Sequence, residues 1–298
     1  MKKVLYILVA SASMALASCS TSKLPQKELG LQLYSIRHLI GDANKFAANG
    51  DSILKMMAEQ GYTSIETANY RDGKIYGINP EDFKAVVEKA GLKALSTHTN
   101  RNLSKEEIAA GAPNEATLQW WDQCIAAHKA AGMEYIVVPG QPIPNTLQEM
   151  KVWCDYHNTI GKKCAEAGLK FGYHNHSNEF TRKIEGKVMY DYMLENTNPE
   201  YVFFELDVYW AVMGKVSPVD YFKRYPGRFK LLHIKDWKEI GQSGMVGFDA
   251  IFKNAETAGV ENIVVECEAF ENKDMMVGVG QCAEYLRNAD FVKASYKK

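Results

Sequence analysis

Short apolar runs rich in β-branched and aromatic residues alternate along this chain with longer amphipathic stretches. The short runs have the length and composition of buried strands, and the longer stretches have the period of helices. The predicted strands lie at 30–36, 62–66, 92–97, 133–139, 169–173, 201–206, 229–234 and 261–266. The predicted helices lie at 52–60, 80–90, 115–131, 146–167, 188–196, 218–225, 248–258 and 278–289. Gly61, Gly91 and Gly168 directly follow helices, as C-terminal caps do.

This alternation of strands and helices predicts a parallel sheet. Right-handed crossovers give either an open doubly wound sheet or a closed barrel. About 270 residues remain after the leader described below, and eight βα units in that length favour a (β/α)8 TIM barrel of the α/β class. We expect one such domain at 29–298. No strand is followed by GxGxxG or GxxxxGK[ST], so we expect no nucleotide cofactor.

The first residues have the pattern of an export signal. Lys2 and Lys3 precede an apolar stretch at 4–16, which is shorter than the roughly 20 residues of a spanning helix. Cys19 follows small residues at a suitable cleavage point. We expect a lipoprotein signal peptide at 1–18, lipidation of Cys19 and a tether at 19–28, with an uncleaved anchor or plain secretion as alternatives. The expected location is the periplasmic face of a bacterial membrane, with the lipid as the only membrane contact.

Charge and cysteine usage narrow the classes of partner. The 35 basic and 36 acidic residues give a formal net charge of −1, so a nucleic-acid partner is not expected. Five cysteines besides Cys19 lack any CxxC spacing, which predicts buried free thiols rather than a disulfide framework or a structural zinc site. The sequence does not indicate an oligomeric state.

The segment 171–180 holds the densest candidate chemistry, because His174, His176 and Glu179 follow a short buried strand there. Side chains alternate along a strand, so Gly172, His174 and His176 are predicted to share one face. In a parallel barrel, the carboxyl ends of the strands carry the ligands and catalytic groups. A pair of hydrogen-bonded core histidines is the alternative.

Potential metal ligands also end the next three predicted strands: Asp207, His233 and Glu266. The separations are 33 residues from His174 to Asp207, 26 from Asp207 to His233 and 33 from His233 to Glu266, each about one βα unit. Consecutive strands therefore place these groups side by side on one rim. Mixed imidazole and carboxylate ligands suit Mn²⁺, Co²⁺, Zn²⁺ or Fe²⁺ better than Ca²⁺. A salt-bridged barrel mouth is the alternative.

Five motifs occur in order near the predicted strand ends. They are GLQLYSIR at 30–37, YHNH at 173–176 with EF at 179–180, LDVYW at 206–210, YPGR at 225–228 with HIKD at 233–236, and VE at 265–266. Together they resemble the sugar phosphate isomerase/epimerase family of xylose-isomerase-like barrels, which includes inosose dehydratases, ketose 3-epimerases and 3-keto-glycoside lyases.

The resemblance implies a divalent metal held by His174, Asp207, His233 and Glu266. Many relatives carry Glu where this chain has His174, so His176 and Glu179 are alternative fourth ligands. The segment 242–247 also lacks the acidic Gly-Glu-Gly expected in a lid.

The remaining polar and aromatic residues of the rim are candidates for catalysis and substrate binding. The catalytic candidates are Glu66, His98, His176, Glu179 and Lys235. The substrate-binding candidates are Gln32, Tyr34, Trp210 and Trp237. The carboxylates and imidazoles are expected either to transfer protons or to orient a ligand. Lys235 is expected to hold a substrate oxygen or to pair with Glu66 or Glu205, and the tryptophans to stack on a sugar or to join the core.

Family and export together predict the chemistry. Phosphorylated sugars are cytoplasmic, so an exported member is expected to act on a non-phosphorylated keto-sugar or 3-keto glycoside. The enzyme would remove the proton next to the carbonyl, with the metal stabilising the enediolate. Reprotonation makes an isomerase or epimerase, and loss of a β-substituent makes a lyase or hydratase, which we favour. The alternative is a metal-free sugar-binding lipoprotein; charge and export disfavour an endonuclease.

Overall fold

A closed barrel of eight parallel strands lies at the centre of the computed structural model, which describes residues 26–271 and 273–297. The strands are β1 (Gly30–Gln32), β2 (Ser64–Thr67), β3 (Lys93–His98), β4 (Tyr135–Val138), β5 (Lys170–His174), β6 (Val202–Asp207), β7 (Phe229–Lys235) and β8 (Asn262–Glu266). Each strand pairs with its neighbour in chain order, and β1 pairs with β8 to close the barrel. The predicted (β/α)8 TIM barrel is therefore confirmed.

Helices surround the barrel on the outside, as right-handed crossovers require. The α-helices are Arg37–Ile40, Ala43–Glu59, Pro80–Lys89, Lys105–Ala110, Glu115–Ala130, Leu147–Glu166, Asn178–Thr181, Met189–Asn196, Val208–Met213, Pro218–Arg224, Phe248–Lys253, Ala255–Ala258 and Met275–Asn288. A 3-10 helix spans Leu33–Ile36. Two small antiparallel strand pairs are also present: Tyr70–Arg71 pairs with Lys74–Ile75, and Lys183–Ile184 pairs with Lys187–Val188. Within the described ranges, no helix is both long and apolar enough to cross a membrane.

Apolar side chains fill the barrel below the mouth. This interior layer consists of Leu95, Tyr135, Val137, Phe203, Leu231 and Val264. Gly172 on β5 is required here, because a Cβ atom at that position would lie 2.5 Å from the Phe203 ring. A larger core fills the space between the barrel and its helices. This packed apolar layer lies beneath the polar side chains at the carboxyl ends of the strands.

Two predicted elements have different bounds because polar side chains cap the backbone. The first strand was expected to reach residue 36, but it ends at Gln32, whose Oε1 accepts a hydrogen bond from the Tyr34 amide and begins the 3-10 helix. The first long helix was expected at 52–60. It begins nine residues earlier, at Ala43, where Asp42 accepts a hydrogen bond from the Lys45 amide.

The predicted helix at 248–258 is interrupted at Asn254. The Asn254 side-chain amide donates to the Ala250 carbonyl over 2.8 Å, and the chain then starts a separate helix, Ala255–Ala258. Asparagine often competes with the helix backbone in this way.

The expected signal peptide at 1–18 and Cys19 lie outside the described residues. Of the expected tether, Lys27 is buried and its amine donates to the carbonyls of Leu286 and Ala289. The amide of Glu28 bonds to the Ala294 carbonyl. The part of the chain that docks on the barrel therefore begins before residue 29.

Candidate active site

The carboxyl ends of neighbouring strands bring polar side chains together at the barrel mouth. The parallel register sets Asp207 beside His233 and Lys235 beside Glu266. A cavity of about 470 Å³ opens at this end. It is lined by Tyr34, Ala68, Tyr70, His98, Thr99, Asn100, Trp120, Pro139, His174, His176, Glu266 and Glu268. The mouth is where enzymes of this fold carry out their chemistry.

Asp207, His233 and Glu266 form a buried cluster whose donor atoms lie within 4.8 Å of one another. His233 Nδ1 is 3.9 Å from Asp207 Oδ2 and 3.6 Å from Glu266 Oε2. Asp207 Oδ2 and His233 Nδ1 are buried without a hydrogen-bond partner. Such atoms are costly unless something binds them. One imidazole and two carboxylates suit a divalent transition metal, and three protein ligands leave positions for substrate, as in catalytic sites.

The electrostatics of this cluster favour a cation. Burial raises the pKa of Asp207 to about 7, against the opposing charges of Lys235 and His233. Burial alone would lower the pKa of His233, but nearby carboxylates, Glu205 foremost, outweigh it and raise that pKa well above its ordinary value. The carboxylates thus attract positive charge, which a metal ion supplies more strongly than a proton does.

Lys235 is buried beside this cluster. Its amine donates to Glu266 Oε2 over 2.9 Å and to Glu268 Oε1 over 2.6 Å. The expected salt bridge to Glu66 or Glu205 is therefore replaced by a pair with residues of the next strand and its continuation. Burial would lower the pKa of Lys235, but Glu266, together with other carboxylates, raises it, so the amine stays charged. A charged amine can donate a hydrogen bond to a substrate oxygen but cannot act as a base.

A second cluster lies beside the first, formed by His98, His174, Glu205 and His233. Glu205 Oε2 is 2.6 Å from His98 Nε2 and 3.1 Å from His174 Nδ1. Glu205 is fully buried, and one imidazole on each side shares its carboxylate. This arrangement fixes the orientation of both rings, as carboxylates do for histidines at active sites.

Glu66 lies next to the cluster of Asp207, His233 and Glu266 and contacts His233. Its Oε1 atom lies 2.7 Å from His233 Nε2, 3.1 Å from His98 Nε2 and 2.8 Å from the Gln32 amide nitrogen. Burial would raise the pKa of Glu66, but His98 and His233 lower it to about 2, so the group is ionised. Of the two roles considered for Glu66, this geometry favours orienting His233. Gln32 is fully buried between Glu66 and the Tyr34 amide, which gives it a supporting position.

His174, the last residue of β5, and His176, two residues beyond it, differ in exposure. His174 is buried, and its Nδ1 faces Glu205, so it is not one of the three donors grouped with Asp207. Its ring centroid is nevertheless only 4.6 Å from that of His233. His176 is exposed at the mouth, 5.1 Å from the His174 ring. The expected four-residue ligand set is thus brought together in part, and both histidines remain candidates for the fourth position.

Glu179 fixes the turn that carries His176. Its Oε1 accepts a hydrogen bond from the buried Tyr173 hydroxyl, and its Oε2 accepts one from the His176 amide, each over 2.9 Å. Glu179 is buried and belongs to neither of the two clusters. Both oxygens are therefore engaged in holding the loop, which favours a positioning role over proton transfer.

The aromatic candidates occupy different positions at the mouth. Tyr34 is 44% exposed and lines the cavity. Trp210 packs near His176, with ring centroids 5.6 Å apart, and the Lys235 amine lies 5.8 Å from the Trp210 ring. Trp237 is 60% exposed and does not line the cavity.

Several residues of the site were absent from the candidate sets, among them Glu205, Glu268, Tyr70 and Trp120. Strand parity points to the first two, because Glu205 precedes Asp207 by two residues and Glu268 follows Glu266 by two. No comparable signal marks Tyr70 or Trp120, which lie on a hairpin and on an outer helix.

A closed (β/α)8 barrel with imidazoles and carboxylates at its mouth defines a TIM-barrel protein with an enzyme-like site. Within that class, the chain belongs to the xylose isomerase-like TIM barrel family, whose model matches residues 54–292. The crystal structure of a sugar phosphate isomerase/epimerase from Parabacteroides distasonis ATCC 8503 is 36% identical, with a TM-score of 0.80 over 90% of this chain and 100% of that one.

Two further relatives are more distant. An inosose dehydratase of Geobacillus kaustophilus (strain HTA426) is 25% identical in an alignment that covers 62% of this chain and only 61% of that enzyme's length. The structure of the IolI protein with a binding zinc atom is 14% identical, with a TM-score of 0.65 over 89% of this chain and 98% of that one, which shows the shared fold alone.

Proposed function

We propose that this chain is a divalent-metal-dependent enzyme that removes the proton next to the carbonyl of a non-phosphorylated keto-sugar or 3-keto glycoside. Relatives named as a sugar phosphate isomerase/epimerase and an inosose dehydratase support carbohydrate chemistry of this kind. The proposal includes export, with signal peptide 1–18 and lipidated Cys19, which favours substrates without phosphate. Of the two possible reactions, we favour elimination over isomerisation.

The observation that carries the proposal is the buried pair of unpartnered atoms, Asp207 Oδ2 and His233 Nδ1, beside Glu266. These three residues would hold the metal, with His174 or His176 as a fourth ligand. When bound, the metal would supply positive charge that stabilises the enediolate oxygens.

The protein's own groups handle the proton. His98 and His176 line the cavity and are the imidazoles that take the proton from carbon and return it. Glu205 holds His98 in a fixed orientation, and the turn fixed by Glu179 carries His176. Lys235 provides a charged donor for a substrate oxygen.

Elimination and isomerisation share the first step. A base takes the proton from the carbon next to the carbonyl. In elimination, the electron pair of that C–H bond forms a double bond to the anomeric carbon, and the bond to the aglycone oxygen breaks. That oxygen leaves with its electron pair and accepts a proton from an acid. In isomerisation or epimerisation, the proton returns to carbon instead.

A metal-free sugar-binding lipoprotein is the second candidate. The observation that favours it is the Lys235 amine, which already supplies a positive charge to Glu266 over 2.9 Å. A binding protein of this kind would hold the sugar without moving its proton.

Proton exchange in D₂O tests the function and separates the two candidates. Ketoses and 3-keto glycosides are incubated with the metal-loaded protein and followed by NMR and mass spectrometry. We expect metal-dependent deuterium uptake next to the carbonyl of at least one substrate, with aglycone release if elimination follows. Asp207→Asn should abolish the exchange, and Glu107→Gln, a buried carboxylate outside the cavity, should retain it. A metal-loaded protein that binds these sugars without any exchange would contradict the proposed enzyme.

A further inference from the structure

Two chemically different groups of residues line the cavity at the mouth. The imidazoles and carboxylates, which we call the polar side, are His98, His174, His176, Glu266 and Glu268. The rings of Tyr34, Tyr70 and Trp120, together with Ala68 and Pro139, form the second group, and we call these five residues the aromatic wall. The reacting part of a substrate belongs at the polar side, so the aromatic wall faces a part of the substrate that does not react.

The rings of the wall are held in place by the protein itself. Trp120 meets Tyr70 edge to face, with centroids 5.6 Å apart and planes at 82°. Trp120 also meets Trp121 at 90°, and the Arg101 guanidinium lies 5.9 Å from the Trp120 ring. Tyr70 in turn packs 4.8 Å from the His128 ring. A preformed wall loses little side-chain entropy on binding, so its contacts contribute to affinity.

Adjacent tryptophans on one helix have opposite surroundings. Trp121 is fully buried, and its Nε1 donates to the Tyr156 hydroxyl. Trp120 is only half-buried and lines the cavity. The core is therefore complete without the Trp120 face that lines the cavity.

The wall offers few hydrogen-bond partners for a second sugar ring. Its polar groups are the hydroxyls of Tyr34 and Tyr70 and the side chains of Thr99 and Asn100. The Asn100 amide already donates to Asn102 Oδ1 and to the Gly140 carbonyl over 3.1 and 3.3 Å. A ring covered with hydroxyls would leave some of them unsatisfied there, which costs free energy. A flat apolar group stacks on such rings without that cost.

We infer that the substrate is a glycoside with a planar, apolar aglycone, which the aromatic wall binds while the keto-sugar occupies the polar side. This inference rests on the proposed function and specifies its substrate class. The cavity of about 470 Å³ falls within the roughly 300–1,000 Å³ typical of sites for drug-sized ligands, which accommodates a sugar and an aromatic group together.

The test compares phenyl and methyl 3-keto-glucosides, as both α and β anomers, by kcat/KM for deuterium exchange or aglycone release. The readout is the phenyl-to-methyl ratio in each variant divided by that of the wild type, which cancels the intrinsic reactivity of the two aglycones. We expect the ratio to fall about tenfold in Trp120→Ala, in line with the loss of aromatic contacts. Trp120→Phe should restore most of it, and Tyr34→Ala should lower it independently. Tyr192→Ala, on an outer helix, is the matched control and should leave the ratio unchanged.

The outcomes separate the inference from the function on which it rests. An unchanged ratio in folded Trp120→Ala and Tyr34→Ala, with both substrates turned over or slowed equally, overturns the aromatic wall and leaves the proposed function standing. If the wild type turns over neither compound, the proposed function fails. In that case, equilibrium binding of phenyl and methyl glucosides tests whether the aromatic wall binds an aglycone. Tighter binding of the phenyl glucoside that Trp120→Ala removes would still support this role, and equal binding of the two would overturn it.

Discussion

Replacing Glu66 by glutamine is expected to weaken metal binding without removing any ligand. Glu66 Oε1 lies 2.7 Å from His233 Nε2, and that contact turns His233 Nδ1 toward Asp207 and Glu266. Glutamine has the same shape but no charge. It therefore keeps the packing and loses the attraction that orients the ring.

The magnitude follows from the position of Glu66 behind a ligand. Carboxylates that orient metal-binding histidines typically contribute about 10–100-fold in affinity or activity, which corresponds to about 1.4–2.7 kcal/mol. Glu66 is fully buried and also contacts His98, so screening by solvent is weak. We therefore expect a loss toward the upper end of that range.

The assay is competition for Zn²⁺ and Co²⁺ against a chromophoric chelator at fixed pH. The matched control is Glu107→Gln, because Glu107 is another buried carboxylate that accepts from the backbone amides of Ser104 and Asn114. The control should bind metal as the wild type does. A folded Glu66→Gln protein with a Kd within twofold of the wild type would refute the orienting role.

Two further predictions concern stability and the anchor. Burial lowers the pKa of His157 to about 3, and both its ring nitrogens lack partners, so the unfolded chain takes up a proton first as the pH falls below about 6.5. The wild type therefore loses part of its free energy of unfolding as the pH falls below that value. Between pH 8 and pH 5, His157→Phe should lose about 2 kcal/mol less than the wild type does. Urea denaturation at the two pH values measures the difference, and an identical pH dependence in both proteins would contradict it. Cys19→Ala should release a soluble, folded protein or stall its processing, as followed by membrane fractionation, whereas a processed and membrane-bound variant would argue against lipidation.

The repeat of strands and helices was predictable because it depends on local patterns. Apolar runs mark each βα unit, and helix-ending glycines such as Gly168 mark several of them. A closed barrel then places every strand end on one rim. The same argument predicts that Asp207, His233 and Glu266 lie close together, because they are at the carboxyl ends of three consecutive strands. Their proximity in the structure agrees with that reasoning, although their metal-binding role stays a prediction.

Contacts across the rim were not predictable from spacing. Glu66 reaches His233 across the barrel, 167 positions away in the chain, and Lys235 selects Glu266 and Glu268 rather than the carboxylates of other strands. The alternation of side chains along a strand predicts which face of the sheet a side chain is on, but the barrel register and the rotamer determine its partner.

Local periodicity also leaves some side-chain environments undetermined. Helical spacing alone does not tell which of Trp120 and Trp121 faces the cavity, since the first lies at the edge of the buried face of its helix. Glu179 looks like a catalytic group in the sequence because only the folded turn shows that Tyr173 and His176 engage both its oxygens.

The metal content of the purified mature protein tests the central claim most directly. Elemental analysis of the wild type should find about one divalent transition metal per chain, because Asp207, His233 and Glu266 form one buried donor cluster. Asp207→Ala and Glu266→Ala should lose both the metal and turnover, and Glu107→Gln should keep both. A wild-type protein that contains no such metal and gains neither activity nor stability from added Mn²⁺ or Co²⁺ would contradict the account, as would full occupancy in either alanine variant.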